Sequence, residues 1–149
     1  MTVDTFSKRQ EFKILNIRKV GLVETSFYVC LNGAEFWAQT DFLQKRLSEL
    51  KNDRAKGDIN ILGGYKHGHI KTVPESYNID YFYDERFELW KIKHMDGFVL
   101  KKDSNRVFLK SKFDVMIHPV SKDDIDKFQE GDFIRIEEPS LWIHNIEPL

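Results

Sequence analysis

The sequence predicts an α+β fold in which a mostly antiparallel sheet, curled or closed into a small β-barrel, carries one main helix and one short helix. Three observations support this fold class. Asn-Gly and Asp-Gly dipeptides each lie between strand-like runs, short strand-like segments recur along the 149 residues, and strands do not alternate regularly with helices. The barrel is expected to be OB-like or split-barrel-like, and a doubly wound parallel sheet is disfavoured.

The first hairpin is predicted around Asn32 and Gly33. Both residues readily adopt positive φ, so they favour a two-residue turn between antiparallel strands at residues 27–31 and 34–38. An imperfectly alternating strand precedes the hairpin at residues 12–20, with a bulge expected near residues 15–16. These segments supply the first three predicted strands.

A second hairpin is predicted around Asp96 and Gly97. The dipeptide repeats the turn chemistry of the first hairpin and lies between strand-like residues 89–95 and 98–101. Lysines are concentrated in and just after this segment, so the hairpin is expected to be basic.

The remaining elements follow from apolar spacing and capping residues. Helical spacing predicts the main helix over residues 42–51, capped by Thr40 or Asp41. Ser121 and the acidic residues after it predict the start of the short helix. Further short strands are predicted at residues 59–62, 69–73, 107–109, 113–117, 132–136 and 141–146, and strand propensity is also high over residues 79–90.

Composition excludes several classes of protein. With 23 Lys+Arg against 24 Asp+Glu, the formal net charge of −1 excludes a globally basic nucleic-acid binder and a strongly acidic mimic. The single cysteine, Cys30, excludes an intramolecular disulfide and a four-cysteine zinc site. The length predicts one globular domain over residues 1–149. Because no apolar leader or membrane-length run is present, we expect a cytoplasmic protein that does not bind membranes.

The near-neutral total conceals a basic segment at residues 91–112, between acidic neighbours at residues 72–90 and 113–149. In a nucleic-acid binder such cations contact phosphates, and aromatic side chains stack on unpaired bases. The alternative is a solvated strand pair whose lysines are neutralised by the acidic residues of segment 79–88. The residues predicted to bind a ligand are Lys91, Lys93, Lys101, Lys102, Arg106, Lys110, Trp90 and Phe98.

A glycine-rich loop contains the residues that most suggest catalysis. If this loop is extended, His67 and His69 lie on one side of it, where they could bind a divalent metal together with further ligands. With Lys66, the same histidines could perform acid–base catalysis on a phosphodiester. The alternative is a surface loop with two solvent-facing histidines, and no cofactor is predicted.

Three functions are compatible with these patterns. The first is a non-enzymatic intracellular binding module that holds single-stranded nucleic acid through the basic hairpin and aromatic side chains. The second is a small protein-interaction module of the inhibitor, immunity or adaptor type, with a charge-complementary protein as partner. The third is a phosphodiesterase or nuclease that uses His67 and His69. It ranks below the other two because no established catalytic motif accompanies the histidines.

Overall fold

The computed structural model consists mainly of β-strands, and it describes residues 9–19, 25–40, 49–50, 53–62, 70–118 and 120–149. A short helix, α1, spans Lys122–Ile125. The strands are β1 (Gln10–Lys19), β2 (Thr25–Leu31), β3 (Ala34–Thr40), β4 (Arg54–Leu62), β5 (Ile70–Val73), β6 (Ile79–Asp84), β7 (Leu89–Lys102), β8 (Val107–Lys110), β9 (Asp114–His118), β10 (Phe133–Glu137) and β11 (Leu141–Pro148).

The predicted α+β class with a main helix is wrong. The described part of the chain is 66% strand and 4% helical, and it contains no helix of 7 or more residues. The segment 42–51, where the main helix was predicted, lies outside the described residues except for Glu49 and Leu50. A main helix is not needed to cover the sheet, because a barrel buries the apolar face of its strands by closing on itself.

The first of two compact units comprises residues 1–60 and 141–149 and contains a closed five-stranded barrel. The strands follow one another around the barrel in the order β1, β2, β3, β11, β4 and back to β1. All described pairings are antiparallel except that of β3 with β11, which is parallel. The small barrel in the prediction is thereby confirmed.

The apolar side chains of the barrel strands are buried, and their alternation follows the strand period. The bulge predicted in β1 is present between Ile14 and Asn16, and it lets one strand pair with β4 along its first part and with β2 along its second. The largest buried side chains of this unit are Phe12, Ile14, Phe27, Leu31 and Phe36.

The first hairpin is confirmed. Asn32 and Gly33 connect β2 to β3 with φ values of 50° and 80°, as a two-residue turn of this kind requires. Leu31 consequently lies opposite Ala34, and the register continues along the pair to Tyr28 opposite Trp37.

The second unit, residues 61–140, is organised around the fourteen-residue strand β7. β6 pairs with the first part of β7 and β8 with its last part, while β10 pairs with its middle. β5 and β9 extend the sheet beyond β10 and β8. The buried side chains of this unit include Ile79, Ile92, Met95, Val99, Val107, Leu109, Val115, Ile134 and Ile136.

The predicted second hairpin is wrong, because Asp96 and Gly97 lie in the middle of one continuous strand. Neither residue has a positive φ. Asp96 is fully buried and forms an ion pair with Arg135. A Cβ atom on Gly97 would lie 2.8 Å from the carbonyl oxygen of Lys110, so glycine allows β8 to approach β7. Both residues therefore serve tertiary contacts rather than a turn.

The short helix is confirmed, and its N-cap is Ser121 as predicted. The Ser121 Oγ accepts a hydrogen bond from the backbone N–H of Asp124 at 3.2 Å. Asp123 and Asp124 occupy the first turn, where carboxylates interact favourably with the helix dipole.

We expect Ser121→Ala to lower the free energy of unfolding by about 1 kcal/mol, since it leaves the Asp124 N–H without its acceptor. Urea denaturation of the full chain measures the change. Ser121→Thr keeps a hydroxyl at the same position and is the control, with most of the stability retained. Equal midpoints for wild type and Ser121→Ala would contradict the capping role.

Candidate binding surfaces

The residues predicted to bind a ligand do not form one surface. They lie along β7, β8 and the turn between them, and Lys102 lies twelve positions after Trp90 on the same strand. At the rise of an extended strand this separation corresponds to roughly 40 Å. The basic set therefore contains at least two regions that must be considered separately.

Several cations of the predicted set bind groups of the protein itself. The Lys102 Nζ donates hydrogen bonds to two backbone carbonyl oxygens, those of Ile125 at 2.9 Å and Phe128 at 2.7 Å. Arg106 donates two hydrogen bonds to Oδ2 of Asp103, through Nε at 3.0 Å and Nη2 at 2.6 Å, and lowers the pKa of that carboxyl. Asp103 neutralises the guanidinium charge of Arg106. The carbonyls that bind Lys102 are uncharged, so they occupy two of its three N–H donors and fix its position without neutralising it.

Of the remaining predicted cations, Lys93 and Lys110 are exposed and Lys101 is half-buried with a partner in the protein. Lys91 is held by the buried carboxylate of Asp84, with Nζ 3.2 Å from Oδ2. The neutralisation of lysines by acidic residues of segment 79–88, the alternative weighed above, is thus present at Lys91.

The two predicted aromatic residues differ in environment. Phe98 is half-buried and packs edge-on against Phe133, with ring centroids 5.5 Å apart. Trp90 is 57% exposed and touches Tyr83 edge-on at 5.5 Å. Only Trp90 therefore offers a large apolar surface to a ligand.

The histidine hypotheses concern residues that are not described, because Lys66, His67 and His69 lie within the undescribed segment 63–69. Among the residues that the structure does describe, no group of three or more His, Cys, Asp or Glu side chains could hold a metal ion.

Asp96, Arg135 and Ser76 form a buried polar cluster in the second unit. Arg135 donates to Asp96 Oδ1 through Nε at 2.8 Å and to Oδ2 through Nη2 at 3.0 Å, and Ser76 Oγ donates to Oδ2 at 2.7 Å. Burial alone raises the pKa of Asp96, but the hydrogen bonds from Arg135 and Ser76 outweigh it and hold the pKa below its usual value. The cluster ties β7 to β10 and to the segment before β6.

The β6–β7 hairpin exposes aromatic rings at its free end. Tyr81, Tyr83 and Trp90 are 39%, 47% and 57% exposed. They lie on the face of the hairpin that also carries buried Ile79 and Ile92. The apolar face of the hairpin thus continues from the core into solvent.

The outer face of the barrel carries a second group of aromatic rings. Tyr28 and Trp37 are cross-strand neighbours on β2 and β3, with ring centroids 5.2 Å apart. On β11, Trp142 and His144 stack almost in parallel, with centroids 6.0 Å apart and planes 7° apart. Trp142 pairs with Gln39, two residues beyond Trp37 on β3, so the two ring pairs lie on adjacent strands. We call these four side chains the barrel aromatic row.

Polar contacts and cations surround the barrel aromatic row. The imidazole of His144 is fixed by the buried amide of Asn60, with Nδ2 and Nδ1 2.9 Å apart. On β1, the exposed Lys13 lies opposite Cys30 and the exposed Arg18 lies opposite Ser26. Cys30 and Ser26 are each two residues from Tyr28 on β2, so they lie on the same face as Tyr28. Cations therefore lie one strand away from Tyr28.

Tyr28 and Trp37 are not among the residues predicted to bind a ligand, although the sequence contains a signal for them. A two-residue turn at Asn32 and Gly33 pairs residues 31 with 34 and, three steps further out, residues 28 with 37. Strand alternation then places both rings opposite the buried face that contains Val29 and Phe36. Nothing local indicates Trp142 and His144, because their position beside β3 depends on barrel closure.

No protein-family model, curated protein or solved structure shows a significant match to this chain. Within the described residues, no helix is long and apolar enough to cross a membrane.

Proposed function

We propose that this chain is a non-enzymatic binding module that holds single-stranded nucleic acid on the outer face of its barrel. The observation that carries the proposal is the barrel aromatic row, Tyr28, Trp37, Trp142 and His144. Other apolar side chains fill the barrel interior, so these half-buried rings are not needed for the core. Aromatic rings on the solvent side of a sheet are typical of binding surfaces.

The chemistry of the row favours unpaired bases. Each base has a flat face that stacks on an aromatic ring, and such stacking contributes about 1–3 kcal/mol per base. In a duplex these faces are covered by neighbouring bases, so a row of rings discriminates against double strands. The cation beside the row that is exposed and offered to a phosphate is Lys13, whereas Arg18 already has a partner in the protein.

The proposed site differs from the one that the sequence suggested. Lys102 and Arg106 are bound to groups of the protein, and Phe98 is packed against Phe133. The ligand class stays the same, single-stranded nucleic acid, but the proposed contacts are the rings of the barrel aromatic row and not the cations of the basic segment 91–112. Affinity is consequently expected to depend on stacking more than on charge.

Trp37→Ala is expected to weaken binding of a fluorescein-labelled oligo(dT) about tenfold, which corresponds to the loss of one stacked base. Fluorescence anisotropy titrations at two salt concentrations measure the effect. With one phosphate contact, at Lys13, the logarithm of affinity should fall against the logarithm of salt concentration with a slope of about −0.7. Lys13→Ala should remove most of this salt dependence.

The matched control is Trp90→Ala, which removes an exposed tryptophan from the second unit and should leave oligonucleotide affinity unchanged. Double-stranded DNA of the same length should bind more weakly than the single strand. If the wild type does not bind single strands at low salt, or if Trp37→Ala binds as well as wild type, the proposal is wrong.

A further inference from the structure

The free end of the β6–β7 hairpin carries a second surface, separate in residues from the barrel aromatic row. We call it the hairpin tip and define it by Tyr83, Glu85, Phe87, Glu88 and Trp90. We propose that the hairpin tip binds a short basic segment of a partner protein, with Trp90 as the apolar anchor.

The first support is the exposed aromatic surface. Trp90, Tyr83 and Phe87 are 57%, 47% and 42% exposed, and all three lie within one hairpin end. Tryptophan and tyrosine are the residues most often found at the energetic centre of protein interfaces. Trp90 and Tyr83 touch each other on one face, whereas Phe87 lies against Lys91, whose side chain is on the opposite face of β7. The two touching rings make a surface smaller than that of a stable two-domain interface, so a short segment fits it better than a whole domain does.

The second support is the charge around the rings. Arg86 and Lys91 both contact the same buried carboxylate, Asp84, with Nη2 and Nζ 3.4 Å and 3.2 Å from Oδ2. The Lys91 Nζ also lies 4.1 Å from the ring centroid of Phe87. Asp84 can neutralise only one of these two cations, and the side chain of Arg86 is 82% exposed. The formal charges of residues 84–91 sum to −1.

The carboxylates of the hairpin tip are differently placed. Glu85 and Glu88 are exposed, and neither makes an ion pair with another described residue. A net negative charge beside aromatic rings disfavours a phosphate backbone and favours lysine and arginine. The rim therefore favours a basic peptide over a nucleic acid.

The experiment uses a random dodecapeptide library displayed on phage and selected against the immobilised full chain. We expect enrichment of peptides that place Lys or Arg beside apolar residues. The affinity of the synthetic selected peptide should fall at least tenfold in Trp90→Ala. It should fall similarly in the double variant Glu85→Lys with Glu88→Lys, because the rim then repels the peptide. Thermal unfolding curves check that each variant is folded.

Trp37→Ala is the matched control, and it should bind the selected peptide like wild type. The proposal fails if no peptide is enriched, if the enriched peptides are acidic, or if Trp90→Ala binds them equally well. It also fails if oligo(dT) competes for the hairpin tip, or if sedimentation shows that Trp90 mediates self-association instead. Because Trp37 and Trp90 are tested separately, failure here leaves the barrel proposal intact, and the reverse also holds.

Discussion

Asp96→Asn is expected to lower the free energy of unfolding by about 3 kcal/mol, the value at the lower end for breaking a buried ion pair. Asparagine preserves the shape of the side chain but removes the charge that Arg135 neutralises through two hydrogen bonds. Ser76 also loses a carboxylate acceptor at 2.7 Å. The lower end applies because the side chain of Arg135 is 29% exposed, so water can solvate part of the released cation.

The stability lost in Asp96→Asn should depend on pH, because the pKa of Asp96 is lower in the folded protein than its usual value. A carboxyl with a lowered pKa stabilises the fold fully above its unfolded pKa, about 4, and loses that contribution as the pH falls through the folded pKa. Urea denaturation at pH 7 should therefore separate wild type from Asp96→Asn clearly, and the difference should shrink in acid. Asp84 and Asp103, whose pKa values are also lowered, preserve part of the acid dependence in the variant.

Glu85→Gln is a suitable control, since it neutralises an exposed carboxylate and should change stability by less than about 0.5 kcal/mol. A stability difference between wild type and Asp96→Asn that is equally large at pH 7 and at pH 3 would argue against a charge effect. A difference below about 0.5 kcal/mol at pH 7 would argue against the buried pair as a stabilising contact.

Gly97→Ala is expected to destabilise the second unit by about 3 kcal/mol, the upper end for overpacking. The added Cβ would lie 2.8 Å from the carbonyl oxygen of Lys110 and 2.9 Å from Cγ of Leu109. The first neighbour is backbone, so relief requires β8 to move away from β7 and weakens the pairing of Phe98 with Lys110.

Urea denaturation measures the stability of Gly97→Ala, and hydrogen exchange locates the change. Amide protection should fall most in β8 and β9. Lys93→Ala, at an exposed position of the same strand, is the control and should stay within about 0.5 kcal/mol of wild type. If Gly97→Ala is as stable as wild type, the close approach of β7 and β8 is incorrect.

Asn32-Gly33 and Asp96-Gly97 show where sequence reasoning succeeds and where it stops. The two dipeptides have the same intrinsic tendency to turn, and each lies between strand-like runs. At Asn32 the local turn preference agrees with the pairing of β2 and β3, and the hairpin forms as predicted. At Asp96 the outcome is decided by Arg135, which lies 39 residues away in sequence. It pairs with the carboxylate from the adjacent strand, β10. Local propensity carries no information about such a partner.

The other predicted features also divide into those set by neighbouring residues and those set by partners distant in sequence. The Ser121 cap and the bulge in β1 could be predicted because each depends on neighbouring residues. The intramolecular partners of Lys102 and Arg106 could not be predicted, because a sum of charges does not reveal which carbonyl or carboxylate each cation binds. Tyr28 and Trp37 lie between these cases: the turn sets their register, and the alternation of the hairpin sets their face.

The parallel pairing of β3 with β11 has a consequence for the order in which the protein folds. β11 begins at Leu141, and the whole of the second unit, residues 61–140, lies between it and the preceding barrel residues. The barrel therefore closes through a contact of long sequence separation, which makes its formation entropically costly and slow. The second unit is contiguous in sequence and can form before the final strand has been synthesised. Closure of the barrel is consequently expected to be the last step of folding, and removal of residues 141–149 should leave β3 and β4 as open sheet edges prone to aggregation.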